Sequence, residues 1–196
     1  MNFLKYNDWE KYDCKSINYV NYDLKNKNKK NEKSTVQAIH NDKLCYINIY
    51  NGTKQIKLTT PPMKCLFGLV NNYQNSYQIN LQFTNYKTND TMNRFYKFIQ
   101  NIELHQIKHI GLNEENLELY LSQIQKNEKY DPNLIVKVPF RYNKFEVECK
   151  NNIGEKVYLT KLPKFHMVRC DIYIDKIWKF NDSYVCKWKL NKLQLL

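Results

Sequence analysis

Lysines, arginines and aromatic rings interleave through the last third of the chain, and together they suit one kind of chemistry. The runs are Arg141-Tyr142-Asn143-Lys144-Phe145, Tyr158-Leu159-Thr160-Lys161, Lys164-Phe165, Lys176-Ile177-Trp178-Lys179-Phe180 and Lys187-Trp188-Lys189, with Arg169 and Tyr173 between them. Cations neutralise phosphate and ring faces stack unpaired bases, at about 1–3 kcal/mol per base, so the pairing of the two fits single-stranded nucleic acid. Core packing competes for every ring. Tyr184, Cys186, Trp188 and Leu190 alternate onto one strand face, which assigns Trp188 to the interior. The candidate nucleic-acid-binding residues are then Arg141, Tyr142, Lys144, Tyr158, Lys161, Lys164, Arg169, Tyr173, Lys176, Trp178 and Lys187. A solvated surface accounts for any single lysine of this set.

Other reactive groups do not assemble into a motif. His105 and His109 stand at i,i+4 on a predicted helix, which is zinc-ligand spacing, but no third ligand stands nearby in sequence. They read as two polar positions on a helix face, and His40 with Cys45 is a weaker pair still. No glycine-rich phosphate loop, G-x-S-x-G elbow or H-E-x-x-H occurs. Glu114 and Glu115 suit the first turn of a helix, where they favour its positive end. Asp171, Asp175 and Glu146 are the carboxylates a nuclease would use to hold Mg²⁺; they form no clustered motif, and that reading ranks last. The expectation is a protein without catalytic activity, metal or cofactor.

Composition bounds the rest. The 196 residues are 42% hydrophobic and 14% aromatic, enough for one domain with a real core and too much for disordered or fibrous classes. No apolar run approaches the ~20 residues of a membrane span. Met1-Asn2-Phe3-Leu4-Lys5 leads into a polar segment, not the apolar stretch of a secretory signal. A soluble cytoplasmic protein is expected, with no membrane partner. The six cysteines include no C-x-x-C pair, and Cys45, Cys149, Cys170 and Cys186 fall inside apolar strand patterns as reduced core residues.

Thirty-one Lys+Arg against 19 Asp+Glu give a formal charge of +12, which attracts polyanions. Only three of those cations are arginine, and Asn, Ile and Tyr are also abundant, so an A/T-rich codon bias would produce part of the surplus. Its distribution argues further. Residues 1–60 sum to +5, 61–87 to +2, 88–136 to −2 and 137–196 to +7. Codon bias spreads lysine evenly, whereas here the excess avoids the segment that reads as helix.

The elements that must position these groups are mostly short strands. Residues 1–43 read as an N-terminal extension whose aromatics (Trp9, Tyr12, Tyr19, Tyr22) pack on the rest, ending in an exposed basic run, 25–33. Residues 44–50 read as a strand, and Asn51-Gly52 as a type I′ hairpin turn into 53–59. Tyr77, Ile79, Leu81 and Phe83 alternate with polar residues as a half-buried strand. After Asp90, a candidate N-cap, apolar residues recur at helical spacing to Gly111, and a second helix from Asn113 runs through Leu117, Leu121 and Ile124. Strands follow at 134–140, 145–149, 156–160, within 165–180 and at 184–195. On the longest, Val168, Cys170, Ile172 and Ile174 share one face and Arg169, Asp171 and Tyr173 the other. This is a mainly β (α+β) chain, with a small antiparallel barrel or sandwich carrying a helical insertion.

The order of elements resembles a family. The run Leu58-Thr59-Thr60-Pro61-Pro62-Met63-Lys64-Cys65-Leu66-Phe67-Gly68-Leu69, the strand to Phe83, a long helix, a strand ending Val138-Pro139-Phe140, and the pairing of Ile177-Trp178 with Trp188-Lys189-Leu190 carry the likeness. Over residues 44–196 the chain resembles the OB-fold single-stranded DNA-binding proteins of the phage T7 type, including relatives in large cytoplasmic DNA viruses. The resemblance implies a decorated OB-fold-like antiparallel β-barrel with a two-helix insertion. It also implies single-stranded DNA crossing a basic, aromatic barrel face during replication, recombination or repair, at a viral replication site in the cytoplasm. Phage members end in an acidic tail that recruits replication proteins. Here the last residues are Lys192-Leu193-Gln194-Leu195-Leu196, basic and apolar, which puts the tail-borne route in doubt and leaves replication proteins open as partners. Leu193, Leu195 and Leu196 are expected to pack in the barrel or in a homodimer interface.

Two function classes remain open from the residues. One is sequence-independent binding of single-stranded DNA, with RNA as the close variant. The other is a non-catalytic structural or interaction β-domain whose positive charge reflects codon bias.

Overall fold

The computed structural model describes Trp9 and residues 12–23, 45–52 and 54–196. In chain order the strands begin with β1 (Ile17–Asp23), β2 (Cys45–Asn51), β3 (Ile56–Thr59), β4 (Met63–Cys65), β5 (Val70–Asn71) and β6 (Tyr77–Gln82). Helix α1 (Asp90–Ile110), a 3-10 helix (Glu114–Leu119) and β7 (Ile124–Gln125) come next. They are followed by β8 (Asn133–Val138), β9 (Phe140–Arg141), β10 (Lys144–Phe145), β11 (Glu148–Lys150) and β12 (His166–Ile174). The chain closes with β13 (Lys176–Phe180), β14 (Ser183–Val185) and β15 (Trp188–Leu195). The basic run at 25–33, His40 and the side chains of Tyr22 and Cys45 lie outside the described residues.

Strict alternation builds the barrel. On β12, Val168, Cys170, Ile172 and Ile174 are all fully buried, as the spacing predicts. Ile79, Leu81, Leu134, Val136, Trp188 and Leu190 fill the same interior from β6, β8 and β15. β3 and β4 are two halves of one bent strand, both paired to β12. The break is Thr60-Pro61-Pro62, where the prolines have no N–H for the ladder. Thr60 turns inward, and its hydroxyl accepts a 3.0 Å bond from the Cys170 N–H. β4 pairs with β6, β6 with β8, and β15 with β12. A parallel contact of β8 with β15 closes the ring. The five barrel strands, taken in chain order, therefore lie 1-2-3-5-4 around a closed OB-type barrel. The closing contact alone among these barrel pairings is parallel.

The insertion lies between the second and third barrel strands. α1 begins one residue earlier than predicted, because Asn89 is the N-cap and its side chain accepts from the Met92 N–H at 3.0 Å. Gly111 ends it in the left-handed conformation, φ +83°, as expected. The second helical segment is 3-10, not α, and stops at Leu119; Leu121 lies beyond it and Ile124 belongs to β7. Asn113 and Asn116 cap it reciprocally. Trp9 packs against α1, 4.4 Å from Phe95 between ring centroids.

Three further expectations change. The Asn51-Gly52 turn exists, with Asn51 and Lys54 bonded in both directions, but its strands part: β2 enters a small sheet ordered β1-β2-β13-β14, and β3 joins the barrel. Residues 156–160 form no strand; Lys156 makes one bridge to Lys150, and Leu159–Lys161 is a 3-10 turn. The strands expected within 165–180 and over 184–195 each break in two, at Asp175 and at Cys186-Lys187. Leu193 packs inside the barrel, whereas Leu196 stays exposed. No described helix is long and apolar enough to cross a membrane.

Candidate nucleic-acid interface

Register on the barrel's outer face places cations and a ring in one transverse row. Tyr173 of β12 stands opposite Lys57 of β3 on one side and Lys189 of β15 on the other. Lys189 is in turn level with Lys137 of β8, and Lys137 with Gln78 of β6. In-register partners share a face, so Lys57, Tyr173, Lys189 and Lys137 form a belt across four barrel strands. The ammonium groups of Lys57 and Lys189 lie 5.7 and 5.9 Å from the Tyr173 ring centroid, at the outer limit of cation–π attraction. Beyond Lys137, amides take over: Asn72 donates to Gln78, Gln78 to Asn80, and Asn80 to Asn133 at 2.9 Å.

The belt is electrostatically tense. Lys137 is half-buried, and its pKa is lowered first by that burial and then by the neighbouring charges of Lys187 and Lys189, with Arg141 adding to the same effect. Asp175 acts the other way. Its Oδ2 lies 2.6 Å from the Lys189 ammonium, with both side chains only 19% exposed. A polyanion laid across the belt would relieve the repulsion that Lys187 and Lys189 exert on Lys137.

Arg141 and the hairpin β9–β10 flank the belt. Phe140 and Phe145 anchor the hairpin against Tyr77, each at 4.9 Å. Its two turn residues, Tyr142 and Asn143, have φ of +49° and +58°, the left-handed pair a two-residue turn demands. A tyrosine is an uncommon choice there, and the Tyr142 ring is 94% exposed.

The predicted site residues thus divide. Arg141, Tyr142, Lys144, Tyr173 and Lys187 gather on or beside the belt. Lys176 and Trp178 sit on the small sheet, where the Lys176 ammonium lies 4.2 Å from the Tyr46 centroid and 5.1 Å from that of Trp178. Arg169 lies further down β12, in an open cleft of about 490 Å³ shared with Glu148, Lys150 and Lys192. Tyr158 and Lys161 bracket the 3-10 turn Leu159–Lys161, and Lys164 stands two residues before β12 begins at His166. Seven strand residues, about 23 Å at ~3.3 Å each, separate that end from Tyr173. Lys57, Lys137, Lys189 and Tyr46 are absent from the predicted set. A signal for the three lysines exists: each alternates with fully buried neighbours on a strand, which forces it outward.

The residues of the rival chemistries are engaged in structural contacts. Tyr19 hydrogen-bonds His105 Nδ1 at 2.8 Å and stacks on His109 at 3.9 Å, tying β1 to α1. Asp171 accepts from the Thr59 hydroxyl at 2.7 Å. Among the described residues, no three of His, Cys, Asp and Glu gather where a metal could bind. Cys65, Cys149, Cys170 and Cys186 are buried free thiols.

No protein-family model matches the chain, and the comparison with curated proteins finds no match. Solved structures do match. The single-stranded DNA-binding protein from bacteriophage Enc34 superposes with a TM-score of 0.51 at 15% identity, covering 76% of this chain and 83% of that one. The same phage protein in complex with single-stranded DNA gives a TM-score of 0.50 at 12% identity, covering 76% and 89%. At such identities the likeness is one of fold, and it agrees with the OB-type barrel traced strand by strand above.

Proposed function

We propose that this protein binds single-stranded DNA without regard to sequence and without catalysing a reaction, using the belt Lys57–Tyr173–Lys189–Lys137 as the primary contact. The observation that carries this reading is that register alone sets three lysines and one ring across four strands of the barrel face. The likeness in fold to a phage single-stranded DNA-binding protein supports it. Lysines neutralise backbone phosphates with release of counterions, Tyr173 offers a ring to an unpaired base, and Arg141 and Tyr142 extend the contact from the hairpin. The hydrogen-bonded amides beside Gln78 add a polar surface without charge. Coating of exposed strands in replication, recombination or repair, and kinship with the phage T7 type and its large-virus relatives, belong to the same proposal. RNA is the close chemical variant as ligand; replication proteins and a second copy of the chain are further candidate partners.

The test is fluorescence anisotropy with an end-labelled oligothymidylate of about ten nucleotides, beside a duplex of equal length, at low and moderate salt. The single strand is expected to bind more tightly than the duplex and to retain measurable affinity at moderate salt. Tyr173→Ala should weaken it about 5- to 150-fold, the worth of one stacked base. Equal binding to both forms, abolished by salt and insensitive to Tyr173→Ala, would reduce the interaction to bare charge and sink the proposal.

A further inference from the structure

The belt ends where β12 gives way to β13, and a second patch of rings and charge begins one residue further on. The in–out alternation slips there: Ile174 is buried in the barrel, Asp175 reaches Lys189 of the belt, Lys176 reaches Tyr46 and Trp178, and Ile177 is buried again. Trp178 and Tyr46 face each other across the β2–β13 pair, with ring centroids 5.1 Å apart and planes at 52°. Phe180, two residues on, is exposed on the same strand. Ile47, Ile49 and Ile177 on the opposite face belong to the barrel's own hydrophobic core, so the small sheet is a fixed extension of the barrel. Tyr173 and Trp178 lie five residues apart on different strands, with the break at Asp175 between them.

We infer that Tyr46, Lys176 and Trp178 form a second stacking platform for the same single strand, engaged only when the strand is long enough to run off the barrel. The inference rests on the barrel reading above. Its occupant is a nucleic-acid strand because the patch repeats the belt's chemistry, a cation among ring faces, and because it adjoins the belt through Asp175 and Lys176. In the free protein the Lys176 ammonium lies over both rings. A base stacking on them would displace it, and the freed ammonium would stand beside that nucleotide's phosphate. Trp178 is also the informative fluorophore. Of the three tryptophans, Trp9 is 4% exposed and Trp188 1%, while Trp178 is only partly covered. Indole emission therefore reports on the platform, and labelled-strand anisotropy reports on binding anywhere.

The experiment titrates the full chain with labelled oligothymidylates of about 4 to 20 nucleotides and follows both signals. Short strands are expected to raise anisotropy with little change in emission. Beyond a threshold length emission should be quenched and affinity should rise about 5- to 150-fold. The pair Tyr46→Ala and Trp178→Ala should remove that gain and leave short-strand affinity unchanged. Tyr46→Phe with Trp178→Phe should retain the gain while losing the indole quench, which separates stacking from a disturbed sheet. Long strands that bind with no quench, or a gain that survives the alanine pair, would overturn the platform and leave the barrel reading standing. Quenching by the shortest strands would overturn it as an extension. Absence of anisotropy change at every length would overturn both readings.

Discussion

At the residue scale the belt is set by a balance between three lysines and one acid. Asp175 holds Lys189 at 2.6 Å in a largely enclosed position, so one of the belt's cations is partly neutralised before any ligand arrives. The attachment of Asp175 to β2 uses its backbone carbonyl, which accepts from the Ile49 N–H at 2.8 Å, and a side-chain change leaves that bond intact. Asp175→Asn is therefore expected to raise affinity for a ten-nucleotide strand about 3- to 10-fold at low salt, the Coulomb gain of removing one negative charge beside a phosphate. It should also steepen the salt dependence by about 0.7 in the log–log slope, one more phosphate contact. Isothermal titration at several salt concentrations measures both. A fall in affinity would mean that the carboxylate orients Lys189 rather than occupying it.

At the element scale the insertion is tied to the barrel by a buried acid. Glu103 on α1 accepts from the Ser122 hydroxyl at 2.7 Å and from the Gln123 N–H at 2.8 Å, and so fixes the segment that leads into β7 and β8. Burial is the largest influence on it and raises its pKa, against the lowering effect of those two hydrogen bonds. A raised folded-state pKa means that the native protein binds the proton more tightly than the unfolded chain. This group's contribution to stability is accordingly full below the unfolded value of about 4.3 and is lost as pH rises through the folded value. Glu103→Gln keeps one of the two acceptor oxygens and removes the ionisation, so its stability relative to wild type should improve as pH rises across that range. Glu103→Ala leaves a buried N–H unpaired and should cost about 1–3 kcal/mol at neutral pH. Urea unfolding of the three proteins from pH 4 to 7 tests the sign. This scale also shows what is legible in one dimension. β12, β6 and α1 follow from local alternation, helical spacing and a glycine C-cap, all written within a few residues. The destination of β2 is not, because an Asn-Gly turn specifies the bend and says nothing of which strand each arm will pair with. The belt is lost to sequence reading for the same reason. Lys57, Tyr173, Lys189 and Lys137 lie far apart in the chain and meet only through barrel register, while a search for rings beside lysines favours runs such as Tyr158–Lys161.

At the scale of the whole molecule the question is whether +12 of charge acts as a cloud or through a place. The basic residues outside the belt do not all face it. Lys161 and Lys164 precede β12, whose start at His166 lies seven residues before Tyr173, at most about 23 Å of strand. In the cleft between, the Glu148 carboxylate pairs with both Lys150 and Lys192. A diffuse cloud weights every cation alike, so Lys161→Ala with Lys164→Ala would weaken binding of a ten-nucleotide strand as much as Lys57→Ala with Lys137→Ala. A localised belt predicts an asymmetry. The first pair should change affinity by less than about twofold and leave the salt slope unaltered, because neither lysine belongs to the belt. The second pair should lower the slope by about 1.4, two phosphate contacts at roughly 0.7 each on a single strand. The Lys137 member carries a further signature. Burial and the neighbouring cations lower its pKa, so wild-type affinity should begin to fall at a pH below the ordinary lysine range near 10.4, and Lys137→Ala should abolish that early decline. Anisotropy titrations across salt and pH compare the two pairs directly, and equal losses from both would place the attraction in the molecule's net charge instead of its barrel face.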